Sequence, residues 1–136
     1  MKKLWFLRVM GVALAAAVVT SLALASDPGD SRTVDWKKVE RNCIWSLSSD
    51  NAGVRQWVIN QIAEYSLHKT VDQLIAILQK EKVERVRMAA ALTLISLGDE
   101  RGRTAVEEAS VYDGSDKVAR FCQALLDACT NYKASL

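Results

Sequence analysis

Histidine and proline are almost absent from this chain, which has one of each among its 136 residues. Structural zinc sites need four histidine or cysteine ligands held together, and the single histidine, His68, lies in a predicted turn apart from the three cysteines. A catalytic Cys–His pair would also require His68 beside a cysteine, and no pattern in the sequence places it there. We therefore expect no catalytic residue, no metal and no cofactor.

An excess of positive charge is lacking as well, once the N-terminus is considered separately. Without its first 25 residues, which carry three basic and no acidic side chains, the chain has 15 Lys+Arg against 16 Asp+Glu and a net charge of −1. Nucleic-acid binding relies on basic patches that neutralise phosphates, and attachment to anionic lipid relies on polybasic clusters. The composition therefore indicates neither nucleic acid nor a membrane surface as the partner.

The first 25 residues have the arrangement of a secretory signal peptide. Lys2, Lys3 and Arg8 precede an apolar run over residues 9–25 that ends in the small-x-small sequence ALA. No cysteine follows the run and no Arg-Arg pair precedes it, which favours the general secretory route. We expect cleavage after Ala25 and a periplasmic or secreted protein. The alternative is an uncleaved anchor in the inner membrane, although such a run spans only roughly 25 Å of a ~30 Å hydrocarbon core.

The rest of the chain is predicted to be all-α. Residues 26–33 (SDPGDSRT) contain the only proline and no apolar side chain, so we expect a flexible linker there. From residue 34 to 136, apolar side chains recur at helical spacing without strand-like alternation. Asn51 or Asp50 suits the N-cap of a second helix, and Gly98 suits the left-handed end of a fourth. The pattern predicts one domain of six helices, at about residues 35–48, 52–65, 69–79, 84–97, 103–111 and 115–131.

Four apolar positions recur at an offset of 32 residues in the second, fourth and sixth helices. The columns are Val54/Val86/Val118, Val58/Ala90/Cys122, Ile62/Leu94/Leu126 and Tyr65/Leu97/Cys129. In the second helix these positions form an apolar stripe that Trp57 widens. We expect the stripes of all three helices to be buried. A fixed offset of this length is typical of helical hairpins stacked along a solenoid. The middle copy, whose residues 88–97 are almost entirely apolar, is then covered by a copy on each side.

These residues resemble HEAT-like repeats. Val54-Arg55, Val86-Arg87 and the less regular Val118-Ala119-Arg120 open their helices as such repeats do. The sequence VRMAAAL from Val86, followed by Leu97-Gly98-Asp99, is similar to the short bacterial, phycobilisome-lyase-type HEAT repeats. The resemblance covers about residues 50–131; the first unit departs from it at Tyr65-Ser66-Leu67, and the third lacks a second helix. It implies a short right-handed α-solenoid, and most members of the family are protein-binding scaffolds.

The repeated arginines, Arg55 and Arg87, have a structural role available. A guanidinium at this position can bond to a turn acid or a carbonyl of the neighbouring unit. Asp50, Asp99 and Asp113 are the acids nearest in the sequence. We expect both arginines to hold the units together and not to bind a ligand.

The three cysteines, Cys43, Cys122 and Cys129, occupy stripe positions, where a buried cysteine acts as a small apolar side chain. Cys122 and Cys129 are seven residues apart, about 10.5 Å along one helix. A disulfide needs a Cα separation of about 4.4–6.8 Å. With Cys43 several helices away, we predict no disulfide within one chain.

Two surfaces are candidates for protein binding. Trp45 lies nine residues from Trp36, so it points away from the stripe of the first helix, on the same side as Arg41. Either the preceding chain or the third helix covers it, or it is an exposed anchor of the kind found in interfaces. The second surface is the polar side of the third and fifth helices, with His68, Lys69, Asp72, Gln73, Arg103 and Glu107.

The leading hypothesis is an exported, non-catalytic helical-repeat scaffold that mediates protein–protein interaction in the cell envelope. One alternative is a structural envelope protein that self-associates into homo-oligomers through its open solenoid ends. Another, by analogy with the lyase-type repeats, is an accessory to chromophore- or thiol-dependent chemistry. That role would need a reactive, exposed cysteine.

Overall fold

The computed structural model of the protein describes residues 33–135. The predicted signal peptide and all of the predicted linker except Thr33 lie outside this range. The described residues form six α-helices and no strand, which confirms the all-α prediction. The helices are α1 (Trp36–Ser46), α2 (Ala52–Glu64), α3 (Val71–Lys80), α4 (Glu84–Leu97), α5 (Glu100–Tyr112) and α6 (Asp116–Ala134), with a 3₁₀ turn at His68–Thr70.

Local capping explains where several helices begin and end. The Asn51 side chain accepts hydrogen bonds from the N–H groups of Gly53 (2.8 Å) and Val54 (3.4 Å), which fixes the start of α2. Gly98 has φ +70° and ends α4, as predicted. The Asp99 carboxylate then accepts from the N–H of Arg101 at 2.9 Å. This cap starts α5 three residues earlier than the helical spacing predicted.

The helices lie in two rows, and the two helices of each hairpin belong to different rows. In one row α4 contacts both α2 and α6, and in the other α3 contacts α5. The hairpins themselves are α3 with α4 and α5 with α6, while α1 lies against α2 and the 3₁₀ turn. This arrangement is the short HEAT-like solenoid that the 32-residue offset predicted.

Helix α4 lies at the centre of the core. It buries six residues, Val86, Ala90, Ala91, Thr93, Leu94 and Leu97. The two middle columns of the repeat, Val58/Ala90/Cys122 and Ile62/Leu94/Leu126, are buried in all three copies, as predicted. Helix α5 crosses α4 closely at Gly102, where an added Cβ would lie 2.9 Å from the Leu94 side chain.

The first copy is less buried than the sequence predicted. No residue of α1 is buried, and Trp36, which was assigned to its buried stripe, is about half exposed. Val54, Trp57 and Tyr65 of the second predicted stripe are exposed as well. These predictions were wrong because α4 and α6 each have a preceding helix in their row, whereas no helix of residues 33–135 precedes α2 in that row.

Candidate protein-binding site

Two arginines tie the repeat units together through the same set of bonds. Arg55 donates to both carboxylate oxygens of Glu81, from Nε at 2.7 Å and from Nη2 at 2.9 Å. Its Nη1 donates to the carbonyl of Ser49 at 2.6 Å. The guanidinium therefore joins the turn before α2 to the turn after α3, and both charged side chains are largely buried.

Arg87 repeats this arrangement 32 residues later. Nε and Nη2 each donate to Asp113 at 2.9 Å, and Nη1 donates to the carbonyl of Glu81 at 2.8 Å. Glu81 thus contacts both arginines, one through its carboxylate and the other through its backbone. The two bidentate pairs form a ladder along one side of the solenoid, and in the third copy Ala119 stands at the arginine position.

The acid partners were only partly anticipated. Asp113 was a candidate and pairs with Arg87, whereas Asp99 pairs with Arg101 instead. Glu81, the partner of Arg55, was missed by the sequence reasoning. A signal for it was present, since Glu81 and Asp113 are themselves 32 residues apart.

Two opposing influences, burial and hydrogen bonding to Arg55, act on the pKa of Glu81. Burial on its own would raise the pKa of this carboxyl, because it disfavours the charged form. The hydrogen bonds from the Arg55 guanidinium and the Val83 N–H, together with the charge of Arg55, outweigh burial and hold the pKa below its usual value. Glu81 is therefore a carboxylate whose ionised form stabilises the fold.

Trp45 is the most exposed tryptophan in the described part of the chain, with 81% of its surface accessible. Neither α3 nor residues 33–35 cover it, although covering by such segments was one of the two alternatives. Arg41 lies one helical turn before it on the same side and is also exposed. The indole and the guanidinium therefore present an apolar and a cationic group on the same side of α1.

The polar surface on α3 and α5 is held by ion pairs. Lys69 contacts Glu40 of α1 at 3.2 Å, and Arg103 contacts Glu107 within α5 at 3.0 Å. Asp72 of α3 pairs with Arg101 at 2.7 Å. Arg101 was not among the residues predicted to form this surface. His68 is exposed on the 3₁₀ turn.

Gln73 differs from the other residues assigned to that surface. Its Oε1 atom is buried without a hydrogen-bond partner among the described residues. The side chain lines a cavity of about 340 Å³ between α1 and α3, together with Ile44 and Ile77. The structure therefore places Gln73 beside a groove and does not group it with Asp72. No side-chain hydrogen bond or ion pair within residues 33–135 joins this polar surface to Trp45 or Arg41.

Two of the three cysteines, Cys43 and Cys122, are poorly suited to nucleophilic chemistry. All three are free in the structure. Burial, followed by the charge of Asp113, raises the pKa of Cys122 to about 11, and burial with the charge of Glu40 raises that of Cys43. Since the thiolate is the reactive form, both thiols are poor nucleophiles at neutral pH. Over the same residues, no three His, Cys, Asp or Glu side chains are grouped to hold a metal ion.

A third exposed surface was not anticipated. Trp57, Val54 and Tyr65 lie on the side of α2 that turns away from the core. Trp36 of α1 packs against Tyr65 in a tilted arrangement, with ring centroids 5.7 Å apart and an angle of 52° between the ring planes. Their helical spacing had predicted burial in the core. Within residues 33–135, no helix precedes α2 in its row to bury them.

The chain from residue 33 to 135 contains no helix that combines the length and apolarity needed to cross a membrane. A family model described as HEAT repeats matches residues 40–126, which is more than half of the chain. HEAT repeats typically build helical scaffolds for protein interaction. No curated protein and no solved structure matches the chain.

Proposed function

The chain belongs to the HEAT-repeat family, and from that premise we propose that it is an exported, non-catalytic scaffold that binds a protein partner in the cell envelope. The observation that carries the proposal is Trp45. An indole with 81% of its surface in water is costly to leave uncovered and offers a large, rigid contact area. Tryptophan and arginine are the residues most enriched among interface anchors, and Trp45 has Arg41 beside it.

Export is supported by the order of segments in residues 1–25, a basic start, an apolar run and a small-x-small end. The proposal predicts that the protein isolated from cells begins at Ser26. Intact-mass measurement tests this directly. A chain that retains residues 1–25 and stays with the membrane fraction would support the anchored alternative instead.

A non-catalytic role is supported by the chemistry of the described residues. The thiol-dependent alternative needs an ionised, accessible cysteine, whereas the pKa values of Cys43 and Cys122 are raised by burial. The single histidine, His68, is exposed on a turn and has no hydrogen bond to a cysteine within residues 33–135.

The test of partner binding is a cross-linking pull-down from the envelope fraction with the wild-type chain and the Trp45→Ala variant. Tyr112→Ala is the matched control, because Tyr112 is an equally exposed aromatic residue (83%) on a different helix. We expect Trp45→Ala to lose the partner and Tyr112→Ala to retain it, with unchanged thermal midpoints for both. An identical set of cross-linked proteins in all three samples would contradict the role of Trp45.

A further inference from the structure

The exposed side of α2 is built from positions whose counterparts on α4 and α6 are buried or half-buried. At the 32-residue offset the columns are Val54/Val86/Val118, Trp57/Ala89/Phe121, Gln61/Thr93/Leu125 and Tyr65/Leu97/Cys129. We call the first members of these columns, Val54, Trp57, Gln61 and Tyr65, the open face of α2. They are spaced three or four residues apart, so they form one stripe along the helix.

Burial differs sharply between the copies. Val86, Thr93 and Leu97 are 0–7% exposed on α4, whereas 40% of Val54, 62% of Trp57 and 49% of Tyr65 remain exposed on α2. Helix α4 has α2 before it in the row and α6 has α4, while α2 has no predecessor within residues 33–135. Among the described residues, the open face is therefore a helix-packing surface without a partner helix.

The opposite end of the solenoid does not complement this surface. Along α6 the only large apolar side chain that is exposed is Tyr132, in the last turn. The remaining exposed side chains are polar or small, and Gln123 and Asp127 hydrogen-bond to each other there at 2.9 Å. Head-to-tail stacking would bury such polar groups against Trp57, which is unfavourable. A second copy is thus better accommodated when the two open faces meet each other.

The open face is also suited to meeting its own copy. Helix α2 has only two charged side chains, Arg55 and Glu64, and Arg55 is occupied by Glu81. Contact between two such helices therefore brings few like charges together. At the position of the small Ala89 on α4, α2 carries the large Trp57. A helix therefore cannot approach the open face of α2 as closely as α2 approaches α4. In an antiparallel pair, Gln61 of the second copy lies opposite the indole, and its unbranched, flexible side chain adapts to the ring more readily than a rigid one.

We propose that the open face of α2 is the interface of a homodimer, in which two copies are related by a two-fold axis and their α2 helices run antiparallel. Val54 then lies against Tyr65 of the second copy, and Trp57 lies against Gln61 of the second copy. Trp36, whose ring packs against Tyr65 at a tilt, extends the contact. An isologous contact of this kind closes at two copies and forms no filament. It is separate from the partner contact proposed for Trp45.

The size of the surface fits a weak but specific dimer. A fully exposed aromatic side chain offers about 150–250 Å², so the exposed parts of Trp36, Val54, Trp57 and Tyr65 amount to roughly 300–450 Å² in each copy. Two copies together would bury about 600–900 Å² of apolar surface. Standard interfaces bury about 1,200–2,000 Å² in total, of which about 60% is apolar. We therefore expect a dissociation constant on the order of micromolar.

Sedimentation equilibrium of the exported chain, from about 1 to 500 µM, tests the dimer. We expect a monomer–dimer equilibrium that Trp57→Ala weakens at least about tenfold, as truncation of a buried interface anchor does. Trp45→Ala and Tyr112→Ala are matched controls that leave the equilibrium unchanged. A wild-type chain that stays monomeric, species that grow beyond two copies, or an equal effect of Trp45→Ala would overturn the proposal.

A pair of complementary variants tests the antiparallel register. Val54→Glu and Tyr65→Lys should each be monomeric alone, because each loses an apolar contact at both ends of the interface. When the two variants are mixed, the introduced carboxylate lies against the introduced ammonium group at one end, and the other end keeps the native contact. Native mass spectrometry with one variant isotopically labelled should then show a heterodimer. If circular dichroism shows both variants folded and the mixture still stays monomeric, the antiparallel pairing is wrong.

Discussion

At the scale of single residues, the arginine ladder is where the fold depends most on one side chain. Arg87 makes three bonds of 2.9 Å or less, and its partner Asp113 is buried beside it. Burying a charge is costly unless it is paired. The two members of such a pair therefore depend on each other far more than members of an exposed pair do.

We expect Arg87→Ala to lower the free energy of unfolding by about 3–5 kcal/mol, because it leaves Asp113 buried without its counter-ion. Arg120→Ala, at an exposed arginine that makes no salt bridge in the described chain, is the control and should change it by less than about 0.5 kcal/mol. Urea denaturation measures both values. Equal effects of the two substitutions would show that the buried Arg87–Asp113 pair contributes no more to the free energy of unfolding than an exposed arginine does.

The lowered pKa of Glu81 gives the ladder a pH dependence. A carboxyl whose pKa is lower in the folded state stabilises the protein above its ordinary pKa of about 4.5, and that stabilisation is lost as pH falls through the lower folded value. We expect the stability gap between the wild type and Glu81→Gln to be constant near neutral pH and to shrink below about pH 4.5. Denaturation curves from pH 7 to pH 3 measure the gap, with exposed Glu108→Gln as control. A gap that does not depend on pH would show that Glu81 is not a stabilising carboxylate.

The Cys122 thiol provides a third test at this scale. With a pKa of about 11, roughly one Cys122 thiol in a thousand is ionised at pH 8, and the side chain is fully buried. We expect Cys122 to react with iodoacetamide only as fast as the protein unfolds. Peptide mapping after timed labelling measures the rate, and urea-unfolded protein gives the reference. Labelling of native Cys122 within seconds at pH 8 would show an accessible, reactive thiol and would support the thiol-dependent alternative.

At the scale of elements, the turn between α4 and α5 shows how little chain a repeat needs to reverse direction. Gly98 takes the left-handed conformation, and Asp99 immediately caps the next helix. An alanine at position 98 would meet no other atoms, so its cost is purely conformational. At Gly102 the reverse holds, because the backbone is helical and the space is filled by Leu94.

We expect Gly98→Ala to cost about 1–2 kcal/mol of stability, the cost of a left-handed residue with a side chain. Gly114→Ala is the matched control, because its φ is not positive and nothing lies near an added Cβ; it should be close to neutral. Thermal unfolding distinguishes the two. A neutral Gly98→Ala would indicate that the turn relaxes to another conformation.

The elements also show what a sequence can reveal of a repeat. The bounds of α4 were predicted to the residue, since its ends carry strong signals and its apolar run has a copy on each side. The start of α5 was missed, because the spacing of Val106 and Ala109 gave no sign of the Asp99 cap. Trp36, Val54 and Tyr65 were misassigned to the core because helical spacing specifies a face but not whether another helix covers it.

At the scale of the whole molecule, the solenoid is asymmetric. Its middle is packed, its C-terminal helix is polar on the outside, and its N-terminal helices α1 and α2 present exposed tryptophans. Terminal repeats of a solenoid need a polar outer face to stay soluble as single units. Within residues 33–135 only the C-terminal end meets that requirement, which is why we place both proposed contacts on α1 and α2.

The claim that α1 and α2 carry both contact surfaces is tested most directly by NMR of the tryptophan indoles. Spectra are recorded during dilution and then during titration with the partner recovered by cross-linking. We expect the Trp57 signal to shift on dilution while that of Trp45 stays fixed, and Trp45 to shift when the partner is added. If all three indoles of α1 and α2 are insensitive to both, the N-terminal end of the solenoid is not a contact surface, and neither the partner contact nor the dimer exists.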